Sequence, residues 1–350
     1  MTKNAQIAID AMGGDDAPSM VIRGANLAAI RRTGAHFTFF GDRQAIEPLL
    51  NRAKALAGRA EIVHSDSVIS GDTKPSQALR RGRESSMGLA IKAVADGKAD
   101  AVVSAGNTGA LMAMSKFGLR MLPGIRRPAI AGVLPTRRGE VVFLDLGANI
   151  ECDSDNLVDF AAMGAVFAQT VLGRVEPTVG ILNVGNENLK GHDEVREAAA
   201  ILRKVDSHFV FQGFVEGDDI TSGTVDVVVT DGFTGNVALK TAEGVTKLYL
   251  NFLRRALSGS WRGRLGYALA RPAFRALREK IDPRRHNGAM FLGLNGTVVK
   301  SHGGTDALGY ATALEVAIDM VEGDVNRRIT DELEQVHRSV VPDRNTAQAK

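Results

Sequence analysis

The chain reads as a doubly wound, Rossmann-like α/β protein of three layers, with helices on both faces of a central sheet. Three observations predict it. Short β-branched or aromatic runs alternate with longer runs of helical period from residue 7 to beyond 229. The 350 residues are enough for one large core. The 38 glycines stand singly or in pairs where apolar runs end, not in a low-complexity tract. Alternation of this kind is the pattern of a parallel sheet, whose ligands bind beyond the carboxyl ends of the strands.

Taken in order, Ile7 to Asp10 is a short strand ending in Met12-Gly13-Gly14-Asp15, and a helix follows from about Pro18. Phe37 to Phe40 repeats the theme, ending in Gly41-Asp42, and a third strand starts at Glu61. A polar-to-basic connection from Ser70 to Arg83 leads to a helix carrying Met87, Leu89, Ile91 and Val94. Ala101 to Ser104 is a strand, and Ala105 to Ala110 turns it into the next helix. Further strands are expected at 128–134, 140–144, 178–182, 209–211 and 225–229, with helices at about 156–172 and up to about 204. No break in composition separates two domains. One elaborated domain is expected over 1–340, with a basic amphipathic helical hairpin at about 258–284 and a polar tail at 341–350.

Composition narrows the chemistry. A single cysteine, Cys152, excludes an intramolecular disulfide and argues against a zinc cluster. No His spacing suits a metal, so no metal is expected. The N-terminus lacks a signal-peptide core, and no apolar run reaches the ~18–20 residues that span a bilayer. A soluble, cytoplasmic chain is expected, with room for peripheral membrane attachment.

Thr230-Asp231-Gly232-Phe233-Thr234-Gly235-Asn236 lies between a β-branched run and a helical one. Such a strand-to-helix turn aims backbone N–H groups and a positive helix end at one place, which suits an anion. Similar turns recur, and the candidate phosphate- or substrate-binding residues are Asp10, Gly13, Gly14, Asp15, Gly106, Asn107, Thr108, Gly109, Asn149, Asn186, Gly232, Thr234 and Gly235. Each alone reads as an ordinary turn; several converging on one sheet edge would make an anion cradle. Neither G-x-G-x-x-G nor G-x-x-x-x-G-K-[ST] occurs, so neither a nicotinamide dinucleotide nor ATP is expected, and no cofactor is assigned. Lys190, beside Asn186 and Asn188, is a candidate to hold an anion. Cys152 has no visible activating base and reads as structural. Ser19, Ser104 and Ser301 lie outside any G-x-S-x-G elbow, so an attacking group would come from a substrate.

The net charge of +3 hides an asymmetry: residues 251–285 hold ten basic and two acidic residues, a net +8, leaving −5 elsewhere. Over 264–281 Leu265, Leu269, Ala273, Leu277 and Ile281 recur every four residues, with Arg264, Arg271, Arg275 and Arg278 opposite and Pro272 expected to split the run. With Arg254, Arg255 and Arg262 this segment is a candidate surface for an acidic carrier protein or an anionic membrane. Few aromatics interleave the charges, so nucleic acid is not expected.

Six segments in order resemble the PlsX-type phosphate acyltransferases of bacterial phospholipid synthesis. They are Asp10 to Asp15, Ser104 to Ala110, Leu144 to Asn149, Asn183 to Glu187 with Lys190-Gly191, Asp231 to Asn236, and Leu294 to Gly303. Two places depart from the pattern: His286 stands where the family often has Tyr before Asn287-Gly288, and Ser70–Ser76 differs from the acidic, Pro-containing sequence expected there. The resemblance implies transfer of a fatty acyl group from acyl–acyl carrier protein to inorganic phosphate. The acyl phosphate would pass to a membrane glycerol-3-phosphate acyltransferase. It also implies a homodimer, loose membrane attachment, and a fold related to phosphotransacetylases and isopropylmalate dehydrogenase-like proteins. Its active-site Lys and Asn fall on Lys190 and Asn236, Lys190 to offset phosphate and Asn236 to sit near the thioester carbonyl. The competing expectations are a phosphotransacetylase acting on a coenzyme A thioester and a non-catalytic scaffold binding carrier protein and membrane.

Overall fold

Alternation along each strand sorts the apolar side chains onto two faces. In the computed structural model, which describes residues 4–280 and 282–347, Ile7 and Ile9 pack into one core while Ala8 faces the other. Val142 and Leu144 likewise part from Val141 and Phe143, and Val227 and Val229 from Val228. A sheet buried on both faces needs helices on both, and the chain supplies them.

The elements run β1 (Gln6–Asp10), α1 (Ser19–Arg31), β2 (His36–Gly41), α2 (Arg43–Leu50), β3 (Ala60–His64), α3 (Pro75–Arg81), α4 (Ser86–Ala95), β4 (Ala101–Ser104) and α5 (Thr108–Leu119). Then come β5 (Ala129–Thr136), β6 (Gly139–Leu144), α6 (Ser154–Val171), β7 (Thr178–Leu182), α7 (Asp193–Leu202), β8 (Val210–Val215), α8 (Gly217–Ser222) and β9 (Val227–Val229). They end with α9 (Gly232–Ser258), α10 (Trp261–Lys280), β10 (Ala289–Leu292), β11 (Thr297–Lys300), α11 (Ala307–Glu322) and α12 (Val325–Ala347). The last helix thus continues past position 341, where the sequence suggested a polar tail; residues 348–350 lie outside the described ones.

The nine strands expected from the sequence all form. Two more, β10 and β11, enter the middle of an 11-stranded sheet of order β3-β2-β1-β4-β11-β10-β5-β6-β9-β7-β8. The fold class holds, but the sheet is not parallel throughout. β3, β2, β1, β4 and β11 form one parallel block, and β6, β9, β7 and β8 another. Between them β10 is antiparallel to both β11 and β5, and β5 is antiparallel to β6. Three successive reversals leave the two blocks pointing opposite ways. The carboxyl end of β6 therefore shares its edge with the amino end of β11.

The basic hairpin also differs from expectation. Pro272 lies inside α10, and its helix runs through it. The chain reverses earlier, at Gly259–Ser260, so the hairpin is α9 against α10. Gly232 and Gly235 are the buried residues of α9. Beyond them Leu248, Tyr249, Phe252, Trp261, Leu265 and Leu269 stand exposed, Leu269 at 78 %. The apolar stripe is thus not docked on the protein's own core. Arg254, Arg255, Arg262, Arg264, Arg271 and Arg275 share these helices; the Arg278 side chain and Ile281 lie outside the described residues.

Candidate active site

The glycine turns do not meet at one point. They form two clusters, each at the carboxyl ends of three adjacent parallel strands, and the reversals place the clusters at opposite edges of the sheet.

The first cluster gathers the ends of β1, β4 and β11. Asp10 is almost fully buried. Its two oxygens accept from Ser86 Oγ at 2.6 Å and Ser104 Oγ at 2.7 Å. Burial raises its pKa above the ordinary carboxylate value, with those hydroxyls pulling the other way. Gly13 needs its missing side chain: a Cβ there would lie 2.6 Å from both Asp10 Oδ2 and the Gly106 amide. The Gly106 N–H donates to Ser104 Oγ at 3.0 Å. Asn107 caps α5, its Oδ1 accepting from the Ala110 N–H at 2.8 Å, while its Nδ2 donates to the carbonyls of Gly71 and Thr73. Thr108 and Gly109 open that helix. The Asp15 N–H donates to the Gly303 carbonyl at 3.0 Å, which joins the Gly13–Gly14 turn to the β11 turn. Lys300, the last residue of β11, is only 8 % exposed. Burial lowers its ammonium to about 8, outweighing the attraction of Asp10 and Asp15.

The second cluster gathers the ends of β6, β9 and β7. Its organiser is Asp145, wholly buried. Its Oδ1 accepts from the N–H groups of Ile130, Gly147 and Ala148 at 2.9, 3.1 and 3.0 Å. Its Oδ2 accepts from the Asn149 N–H at 2.7 Å and Asn149 Nδ2 at 2.9 Å. Burial raises this carboxyl's pKa, and the amides oppose it. Asn149 Nδ2 also donates to the Pro128 carbonyl at 2.7 Å, so this amide is committed to the turn. The stretch read as an open turn is the first turn of α9. Asp231 caps it, accepting from the Thr234 N–H at 2.8 Å and Thr234 Oγ1 at 2.7 Å. The Gly232 N–H donates to the Asn149 carbonyl at 2.7 Å and the Gly235 N–H to the Asp231 carbonyl at 2.9 Å. These donors, expected to be bare, are occupied. Both glycines exist for contact: a Cβ on Gly232 would lie 2.5 Å from the Asn149 carbonyl, and one on Gly235 would collide with the Asp145 carbonyl.

Asn236 follows on the exposed side of α9, its Nδ2 donating to the Leu146 carbonyl at 3.1 Å. Lys190 is in the neighbouring turn but does not bond Asn186 or Asn188. Its Nζ pairs with Glu187 at 2.8 Å, half exposed. The pairing raises the lysine's pKa and lowers that of Glu187. Asn186 donates to Glu216 at 3.1 Å, and Asn188 accepts from Arg203 at 2.8 Å. Cys152 is half-buried, its thiol pushed up to about 12 chiefly by burial and then by Asp145 and Asp231, which makes it a poor nucleophile.

The sequence reading missed Lys300, Asp145 and Ser86 as members of these clusters. Asp145 followed by a glycine turn was visible as a motif, but its five-donor environment exists only in three dimensions. Lys300 ends a strand too short to be recognised among flanking glycines.

The fold is of the phosphotransacetylase class, by likeness to solved structures of that kind. A phosphotransacetylase from Streptococcus pyogenes superposes with a TM-score of 0.62 at 16% identity, over 91% of this chain and 94% of that one. In sequence, the phosphate acyltransferase of Rhodospirillum centenum is 58% identical over 97% of this chain and 96% of its own length. That of Rhodospirillum rubrum is 58% identical over 96% of each. The chain belongs to the fatty acid synthesis protein family, which matches residues 5–328. It is an enzyme of lipid synthesis, an acyltransferase.

Proposed function

We propose that the chain transfers a fatty acyl group from acyl–acyl carrier protein to inorganic phosphate, releasing the carrier thiol and an acyl phosphate. The observation that carries this is full-length similarity to phosphate acyltransferases, with all six glycine-turn motifs in strand-end positions. The chemistry asks little of acid or base groups. Phosphate is already nucleophilic at neutral pH, and a thiol can leave as thiolate. What is needed is placement of two reactants and stabilisation of the tetrahedral oxyanion. Asn236 is assigned to the thioester carbonyl and Lys190 to anion binding, where it would exchange Glu187 for the incoming charge. The deciding experiment incubates acyl–acyl carrier protein with and without phosphate. Phosphate-dependent release of thiol, with acyl phosphate trapped by hydroxylamine, is expected. Release from a coenzyme A thioester but not from carrier protein would identify a phosphotransacetylase, and binding without turnover a scaffold.

The exposed apolar stripe of α9 and α10, flanked by arginines, supports contact with an anionic membrane from the cytoplasmic side. The same hairpin offers a second copy of the chain a surface for a homodimer. Product delivered there would pass to a membrane glycerol-3-phosphate acyltransferase. Among the described residues no helix is long and apolar enough to cross a membrane. Each basic residue near such a surface contributes about 1 kcal/mol, so attachment should be reversible and salt-sensitive. Leu269→Glu should abolish sedimentation with anionic liposomes; sedimentation insensitive to both salt and this change would refute the membrane role.

A further inference from the structure

Large apolar side chains left in water are ordinary one by one and informative in a group. Outside the α9–α10 hairpin they gather at the β6–β9–β7 edge. Ile150 follows the β6 turn, Phe233 and Val237 lie in the first turns of α9, and Val184 and Leu189 lie in the turn after β7. Each is at least half exposed, Leu189 most at 86 %.

Three links hold these residues together. The Gly232 N–H donates to the Asn149 carbonyl at 2.7 Å, and Ile150 and Phe233 each directly follow a member of that bond. β9 and β7 are paired neighbours, Val229 opposite Ile181, so their turns leave the same edge side by side. Phe233, Asn236 and Val237 are spaced i, i+3 and i+4, which is one face of a helix. The Asn236 amide is therefore flanked along α9 by two bare apolar side chains. In the neighbouring turn Val184 and Leu189 bracket Glu187, the ion-pair partner of Lys190.

The core has no use for the patch: none of the five side chains belongs to either hydrophobic cluster of the sheet. It is also separate from the apolar stripe of the hairpin. The next large exposed apolar residue of α9 is Val245, about 12 Å beyond Val237 at the usual helical rise. The Lys240–Glu243 ion pair stands between them.

We propose that this patch seats the fatty acyl chain of the donor, with Phe233 and Val237 against the methylenes nearest the thioester carbonyl. The inference rests on the proposed acyl transfer and on that carbonyl lying at Asn236. The occupant follows from the position. The acyl chain starts one bond from the carbonyl carbon, so wherever Asn236 holds the oxygen, an apolar chain lies beside it. Phosphate is polar and would gain nothing from apolar side chains. A chain that left water completely would gain about fourfold in kcat/KM per methylene, the equivalent of ~0.8 kcal/mol. One lying on an open patch keeps a side wet, so about twofold per methylene is expected.

The test is kcat/KM for acyl–acyl carrier proteins with chains of about six to twelve carbons, read as thiol release in saturating phosphate. Wild type should gain about twofold with each methylene. The double variant Phe233→Ser/Leu189→Ser should flatten that ratio to near one, and Phe233→Leu should keep it. Both residues are exposed, so the urea midpoint should not move. Were the double variant to unfold, Leu189→Ser alone should still lower the ratio. A flat wild-type profile, or a double variant with the wild-type ratio, overturns the proposal. So does a wild-type dimer that dissociates in the double variant by analytical ultracentrifugation, since the patch would then be an interface between two copies. Thiol release from coenzyme A thioesters alone, with the ratio present in wild type and lost in the variant, corrects the donor in the proposed function and supports the inference. No phosphate-dependent release from any donor overturns both.

Discussion

The two clusters are built alike and finished differently. Each uses three adjacent parallel strands, a glycine turn and one buried aspartate. In the β6–β9–β7 cluster, Asp145 is saturated by five N–H donors and the first turn of α9 is closed by Asp231 and Asn149. In the β1–β4–β11 cluster, Asp10 is saturated by hydroxyls, which leaves the neighbouring Lys300 with donors to spare. The difference teaches that a glycine turn at a strand end is not by itself an anion site. What counts is whether its donors are already committed. By that criterion the β6–β9–β7 cluster is chiefly architecture, with the proposed active face at Asn236 and Lys190 beside it, and the β1–β4–β11 cluster is the one with donors to spare.

The comparison can be tested from its largest expected effect downward. Asn236→Ala should lower kcat by about 100- to 1000-fold, the usual cost of losing one oxyanion donor. Normal turnover in steady-state thiol release would make the β6–β9–β7 cluster purely structural. Asp145→Ala strands several buried N–H groups and should cost about 3 kcal/mol in urea unfolding. A loss as small as that of an exposed carboxylate would show that the turn is held by something else. Gly235→Ala forces a methyl onto the Asp145 backbone and should cost about 1–3 kcal/mol, with a matching fall in kcat as Asn236 shifts. Lys190→Ala, by contrast, removes a solvent-exposed ion pair; the urea midpoint should not move although activity falls.

The smallest effect serves as a control far from either cluster. His337 on α12 lies 2.8 Å from the buried Asp159 of α6, whose carboxylate raises the histidine's pKa. A raised histidine pKa stabilises fully below its unfolded value of 6.5, and that contribution is lost as pH rises through the folded value. His337→Asn should therefore lower Tm most below pH 6.5, the gap closing at alkaline pH. A gap that widened with pH would mean that the pair does not hold α12.

Much of this protein was legible in its sequence. Nine strands, their following helices and the two-faced core come from local alternation of apolar and polar residues, because the period of a side chain along a strand or helix is fixed by backbone geometry. The glycine turns were readable from glycines standing where apolar runs end, whereas the burial and the Asp145 and Asp231 carboxylates that push the Cys152 thiol up were not. Tertiary structure decided the rest. The four-residue strands β10 and β11 have no strong local signal, yet they reverse the sheet and send the two sets of turns to opposite edges. Pro272 was expected to break a helix that in fact continues, and the chain turned at Gly259 instead. Whether an amide is free, or a lysine buried beside two carboxylates, depends on partners 90 to 290 residues away in sequence, such as Ser104 for Asp10 and Asp10 for Lys300. Sequence fixes what each residue can donate or accept; only the packed chain decides what is left over to bind a substrate.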